Sequence, residues 1–157
     1  MTSKRIVYTR PDGGLSVVVP SPHAVGDHEM AALDVLLGTD VPAVATSVSI
    51  VDVSDLPTSR AFREAWECQG FAVAVNMPKA REIHMVRIRA SRDRALTRLD
   101  GEFQRALEAD DKTRQREVAG QKQTLRDLPQ TFDLSGAETP EALEALWPEG
   151  LERGEGT

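Results

Sequence analysis

Large rings are scarce in this chain of 157 residues, where Phe, Trp and Tyr together make up 4%. Aromatic side chains usually supply much of a core's buried area. The core must therefore be modest and built from Ala, Val and Leu, and the whole length is not expected to form one globule. Cysteine occurs once, at Cys68, which excludes an internal disulfide framework and a cysteine-based zinc site. A lone cysteine without an activating neighbour is inert. The three histidines, His23, His28 and His84, show neither metal spacing on a helix face nor a Cys/His cluster. No apolar run approaches the roughly 20 residues of a membrane span. No signal-peptide apolar stretch follows Lys4 and Arg5. The expectation is a protein made in the cytoplasm that does not enter a membrane.

What is present is charge, unevenly spread. The formal net charge is -6, yet residues 79–98 hold Lys79, Arg81, Arg87, Arg89, Arg92, Arg94 and Arg98 against only Glu82 and Asp93. Residues 138–157 hold six Glu and one Arg. The two ends of the helical region are thus electrostatically complementary, within one chain or between copies.

The first half reads as short strands and helices. Arg5 to Arg10 is rich in β-formers, Pro11-Asp12-Gly13-Gly14 is a turn in which both glycines tolerate positive φ, and Leu15 to Val19 is a second strand stopped by Pro20 and Pro22. This predicts an N-terminal β-hairpin. A lone hairpin is marginal, so it must pack on something. Residues 28–37 suit a short helix, with Asp27 as candidate N-cap and Gly38 as a stop. Residues 40–46 look irregular, and the β-branched content of Ser47 to Val53 favours a strand. Pro57-Thr58-Ser59 is expected to start a short helix that carries Phe62 and Trp66, at i and i+4, on one face. Phe71 to Val75 reads as a last short strand or an extended lead-in.

The second half is helical. Asn76 is the candidate cap and Pro78 suits a first turn. From Lys79 to Ala109 there is no proline and one glycine, Gly101. Met85, Ile88, Ala95, Leu99, Phe103 and Ala106 follow helical spacing, with Leu96 and Leu107 widening the stripe. A helix of about 30 residues is ~45 Å long at 1.5 Å per residue. Asp110-Asp111 is an acidic cap for a second helix, whose apolar positions are Val118, Leu125 and Leu128. That helix should end at Leu128, because Pro129 disfavours helical geometry in the residue before it. The two helices should turn near 109–112 into an antiparallel hairpin. Residues 130–138 read as a tether containing Ser135-Gly136. Thr139 then caps a last helix with Pro140 at its first position and Leu143, Leu146 and Trp147 as its apolar face.

The expected fold class is α+β: an N-terminal β-hairpin and short helices, then a long antiparallel α-helical hairpin and a short C-terminal helix. The expected organisation is a small α+β region over 1–75, the helical hairpin over 76–129, and a tether with a capping helix over 130–148. The Gly/Glu-rich stretch 149–157 is expected to be a disordered tail.

Catalytic chemistry has no foothold. Asp12-Gly13-Gly14 lacks the Lys-Ser/Thr of a phosphate loop. The carboxylates are spread over helix faces, and none of the usual catalytic roles has a candidate with a supporting partner. The expectation is a non-enzymatic protein with no catalytic residue, cofactor or metal. The Arg-rich segment could contact phosphates or an acidic partner through Arg87, Arg94 and Arg98, which lie near one helix face. Without interleaved aromatics for base stacking, and in an acidic chain, nucleic-acid binding is the weaker reading.

Arg98-Leu99-Asp100, then Leu125-Arg126-Asp127-Leu128-Pro129, then Trp147-Pro148 form a pattern within about residues 85–150. It resembles the C-terminal part of phage tail-assembly chaperones and tail-fibre assembly proteins. The chain departs from that pattern at Gly101, where the family often has Trp, and at Lys122-Gln123, where it often has Tyr-Arg. Ile6-Val7-Tyr8 to Val17-Val18-Val19-Pro20 also looks like the opening of small phage proteins. The resemblance implies a tail accessory protein located in the virion tail, or in the host cytoplasm during assembly, whose partners are tail or tail-fibre proteins. A homo-oligomer is left open, and the rival reading is a DNA-binding phage protein using the Arg-rich helix 79–98. On the protein-binding reading the contact residues are Leu125, Arg126, Asp127, Pro129, Leu143, Leu146, Trp147 and Pro148. Trp147 is the kind of large amphipathic residue that anchors interfaces, and it could equally pack back on the helical hairpin.

Overall fold

Strand β1 (Lys4–Thr9) lies between β2 (Leu15–Val18) and β3 (Thr46–Asp52) in an antiparallel sheet of order β2-β1-β3. The computed structural model describes residues 4–23 and 27–154. The chain is α+β, with strands first and helices after, and it divides into two units, Met1–Ala80 and Arg81–Thr157.

The β1–β2 hairpin closes through its turn residues. The Gly14 N–H donates to Asp12 Oδ1 at 2.8 Å, and Gly13 takes φ +80, which costs glycine nothing. That backbone hydrogen bond, followed by the Arg10 side chain, holds the Asp12 carboxyl below its usual range. Val7 pairs with Val17, Thr9 with Leu15 and Arg5 with Val51, so strand alternation puts Val7, Leu15 and Val51 on one face. Between Val7 and Thr9 the register to β3 shifts, and Ser47 sits at φ +50. This β-bulge bends the start of β3. Helix α1 (Asp27–Thr39) packs on β1, with Leu33 fully buried and the Lys4 N–H donating to Glu29 Oε1 at 2.9 Å. The expected cap at Asp27 rests on a side chain outside the described residues.

The expected short helix carrying Phe62 and Trp66 is not formed. A single 3-10 turn, Arg63–Ala65, leads directly into β4 (Trp66–Gln69), which pairs with β5 (Ala72–Val75) as a second hairpin. The deciding signal is Gly70, at φ +66 in the first of the two loop positions, the pattern of a type II′ turn. Tertiary pairing overrides the i, i+4 spacing. Phe62 and Trp66 are buried all the same, and Trp66 joins Val7, Leu15, Val51 and Val73 in the core of the first unit.

Helix α2 (Met77–Glu108) begins where the sequence places it, with Asn76 Oδ1 accepting the Lys79 N–H at 3.0 Å. Its end is a Schellman motif. The Asp111 N–H reaches the Ala106 carbonyl at 2.9 Å and the Asp110 N–H reaches Leu107 at 3.1 Å. Asp110, at φ +51, takes the place glycine usually fills. Asp111 then caps α3 (Lys112–Thr131) by accepting the Arg114 N–H at 2.9 Å.

Contrary to expectation, α3 does not stop at Leu128. Pro129 lies inside the helix, which continues to Thr131 and ends where Phe132 turns extended. Proline removes its own N–H bond but leaves the Leu128 carbonyl available, and the Phe132 N–H donates to it at 2.9 Å. With so few residues beyond the proline, little of the helix has to bend around it. α4 (Pro140–Ala145) is capped by Thr139, whose Oγ1 accepts the Ala142 N–H at 3.2 Å.

Candidate functional site

The second unit is closed by its own C-terminal residues. Along α2, His84, Ile88, Ser91, Ala95, Leu99 and Ala106 are buried at helical spacing. α3 returns antiparallel beside the later part of this stripe. The contacts are the Arg114–Glu102 ion pair at 2.5 Å, the Gln115 side-chain amide on the Ala106 carbonyl at 3.1 Å, and Lys122 on Asp100. Val118 is fully buried between these contacts. Phe103, expected in the same contact, is half-buried, with the Lys122 ammonium 5.4 Å from its ring centroid.

Residues after α3 then pack along the earlier part of α2. They are not the tether the sequence suggests. Leu134 and Ala137 are buried, and Arg81 Nη2 donates to the Ala137 carbonyl at 2.8 Å. Asp133 closes a tight turn by accepting the Ser135 N–H and hydroxyl, each at 2.8 Å, and these bonds hold its carboxyl below the usual range. The expected disorder over 149–157 is also not seen in residues 149–154. Leu151 is buried, and Glu152 pairs with Arg98 at 3.4 Å. Residues 155–157 lie outside the described residues.

Trp147 sits at the centre of this closure. Its indole N–H donates to the Leu151 carbonyl at 2.7 Å, the Arg153 guanidinium lies 5.3 Å from its ring centroid, and it meets His84 edge-on at 5.5 Å. His84 is buried, and its Nε2 is 2.7 Å from the Leu146 carbonyl oxygen. A carbonyl can only accept, so Nε2 carries the proton of the neutral ring. Burial pushes the His84 pKa down. The Leu146 bond opposes that shift, Arg87 and Arg153 add to it, and Glu144 opposes it.

The residues expected to bind a partner therefore separate into two groups. Leu143 and Pro148 are buried and Leu146 and Trp147 half-buried, all within the second unit's own packing. Much of that apolar face is thus used in internal packing. Leu125, Arg126, Asp127 and Pro129 fall on the last turns of α3. Leu125 and Pro129 are half-buried and Arg126 is exposed. Asp127 accepts from Gln123 one turn earlier at 2.9 Å. Among the basic candidates, Arg94 donates to Ser91 at 2.7 Å, Arg98 is paired with Glu152, and Arg87 is exposed.

The first unit is different. Of nine large apolar side chains exposed among the described residues, seven belong to it: Val19, Met30, Val35, Val44, Val48, Val53 and Phe71. Phe71 is 86% exposed. It is the second residue of the tight β4–β5 turn. Thr9 pairs with Thr46, Gln69 pairs with Ala72, and the Cys68 thiol points at the Ser47 carbonyl, 3.9 Å away. The β4–β5 turn and the start of β3 therefore lie at one end of this unit, the end that also carries Val44 and Val48. Burial pushes the Cys68 thiol pKa up, partly offset by Thr9, so its thiolate is disfavoured there. Among the described residues no group of three or more His, Cys, Asp or Glu is placed to hold a metal ion, and no helix is long and apolar enough to cross a membrane.

Comparison of the chain with family models, curated proteins and solved structures finds no match.

Proposed function

We propose that this chain is a non-enzymatic accessory protein of a tailed phage. It binds a tail or tail-fibre chain, in the virion tail or in the host cytoplasm during assembly, through the apolar end of its first unit. The observation that carries the reading is the exposure of Val44, Val48 and Phe71 at that end, with Phe71 at 86% exposure on a tight turn. Any polar residue would serve that turn position, and rigidly presented aromatics are typical interface anchors.

The Leu-Arg-Asp-Leu-Pro and Trp-Pro resemblance lies in the second unit, where Trp147 and Pro148 serve internal closure and Leu-Arg-Asp-Leu-Pro forms the last turns of α3. The shared pattern is thus best understood as a scaffold, with specificity supplied by the first unit. The rival reading, phosphate contact through Arg87, Arg94 and Arg98, gains nothing from Arg98 being paired with Glu152.

Co-expression with the tail and tail-fibre chains of the same phage, followed by co-purification, tests the proposal. One of those chains should be retained, with little sensitivity to salt. Retention of DNA instead, weakening steeply as salt rises, would support the rival. Mass spectrometry of purified particles then separates a virion component from an assembly factor.

A further inference from the structure

We propose that His84 is a proton-operated latch on the C-terminal segment, and that its protonation in mild acid releases residues 146–154 from α2. This inference concerns the second unit alone and stands apart from the choice of partner.

The segment is held at a few points, most of them clustered on one imidazole. His84 donates to the Leu146 carbonyl at 2.7 Å and meets the Trp147 ring at 5.5 Å with an interplanar angle of 73°. Trp147 in turn fixes Leu151 through its indole N–H and underlies Arg153. Arg153 Nη2 also reaches the Ala145 carbonyl at 3.3 Å. Arg98 to Glu152 joins exposed side chains and contributes little, while Leu151 and Pro148 are buried and Gly154 lies close to the Arg94 guanidinium. Glu152 and Arg153 stand over Ser91, Arg94, Ala95 and Arg98, where Ser91 and Ala95 are buried.

Protonation adds a second N–H at Nδ1 and a full charge to a ring that is 3% exposed. The hydrogen bond to Leu146 survives, so the penalty is desolvation together with the charges that face the ring. Arg87 on α2 and Arg153 on the segment repel the imidazolium, and Glu144 on α4 attracts it. Cations outnumber the anion, and burial acts in the same direction. The released segment binds the proton more readily than the closed one. Closure is therefore complete above the ordinary histidine value of about 6.5 and weakens as pH falls below it, until the lowered folded value is passed.

Hydrogen exchange of the intact protein at pH 7.5 and 5.5, corrected for intrinsic rates, tests this. Exchange over 146–154 should accelerate at pH 5.5, up to the roughly ten-fold limit set by a released histidine of ordinary pKa. Exchange over α3 should not change. His84→Gln keeps an amide donor for Leu146 and cannot titrate, so it should abolish the acceleration. Arg87→Gln removes one facing cation and should reduce the acceleration at pH 5.5, because the closed ring then protonates more easily and the closed state tolerates more acid. The latch is overturned by an unchanged wild-type rate, by equal acceleration in His84→Gln, by acceleration spread equally over α3, or by a larger acceleration in Arg87→Gln than in wild type.

Discussion

The indole N–H of Trp147 and the carbonyl of Leu151 are joined by a 2.7 Å hydrogen bond that folds residues 147–151 back on themselves. That bond and the His84 contact make Trp147 a stabilising residue of its own unit. Trp147→Ala should lower the stability of the isolated protein by about 2 kcal/mol, below the full core value because the ring is half-buried. Trp147→Phe, which keeps a ring but loses the donor, should cost about 1 kcal/mol. Urea titrations of the three proteins check this. An unchanged midpoint for Trp147→Ala would return the residue to the partner surface that the sequence suggested.

Val118 and Val86 offer a matched pair. Val118 is fully buried and Val86 is 60% exposed. Val118→Ala should destabilise by roughly 1–2 kcal/mol through lost burial and a residual cavity. Val86→Ala should stay within about 0.5 kcal/mol of wild type. Equal effects in thermal melts would contradict the antiparallel packing of α3 on α2.

The helices were legible because their signals are local. Asn76, Asp111 and Thr139 each cap through their own side chain, and the α2 stripe follows helical spacing from Ile88 through Leu99 to Ala106. His84 belongs to the same stripe, one turn before Ile88, and that spacing was the available sign that it is buried. What the sequence concealed depends on tertiary pairing. β4 is built from Trp66-Glu67-Cys68-Gln69, which has weak strand propensity, and only Gly70 marks its turn. The steric rule at Pro129 is local and points to a stop at Leu128, whereas the helix needs only the Leu128 carbonyl to finish its last turn. The exposed Phe71 was invisible as a candidate. Its place at the loop tip follows from the pairing of Gln69 with Ala72, which the side-chain pattern of 66–75 does not announce.

Cys68 supplies a chemical check on the first unit. Burial raises its thiol pKa, so less thiolate is present than for a free cysteine at the same pH. Alkylation of the native protein at pH 8 should be several-fold slower than that of the urea-unfolded chain. Equal rates would mean that the start of β3 does not cover the thiol.

The central claim, that the apolar end of the first unit binds a tail or tail-fibre chain, is tested most directly by measuring the affinity of wild type and Phe71→Ser for the co-purifying chain. Phe71 is 86% exposed, so the substitution should leave the melting temperature within error of wild type. The account predicts that Phe71→Ser weakens binding by about 2 kcal/mol, some thirty-fold in Kd. Unchanged affinity in a folded Phe71→Ser protein, or no tail or tail-fibre chain bound by wild type, would contradict it.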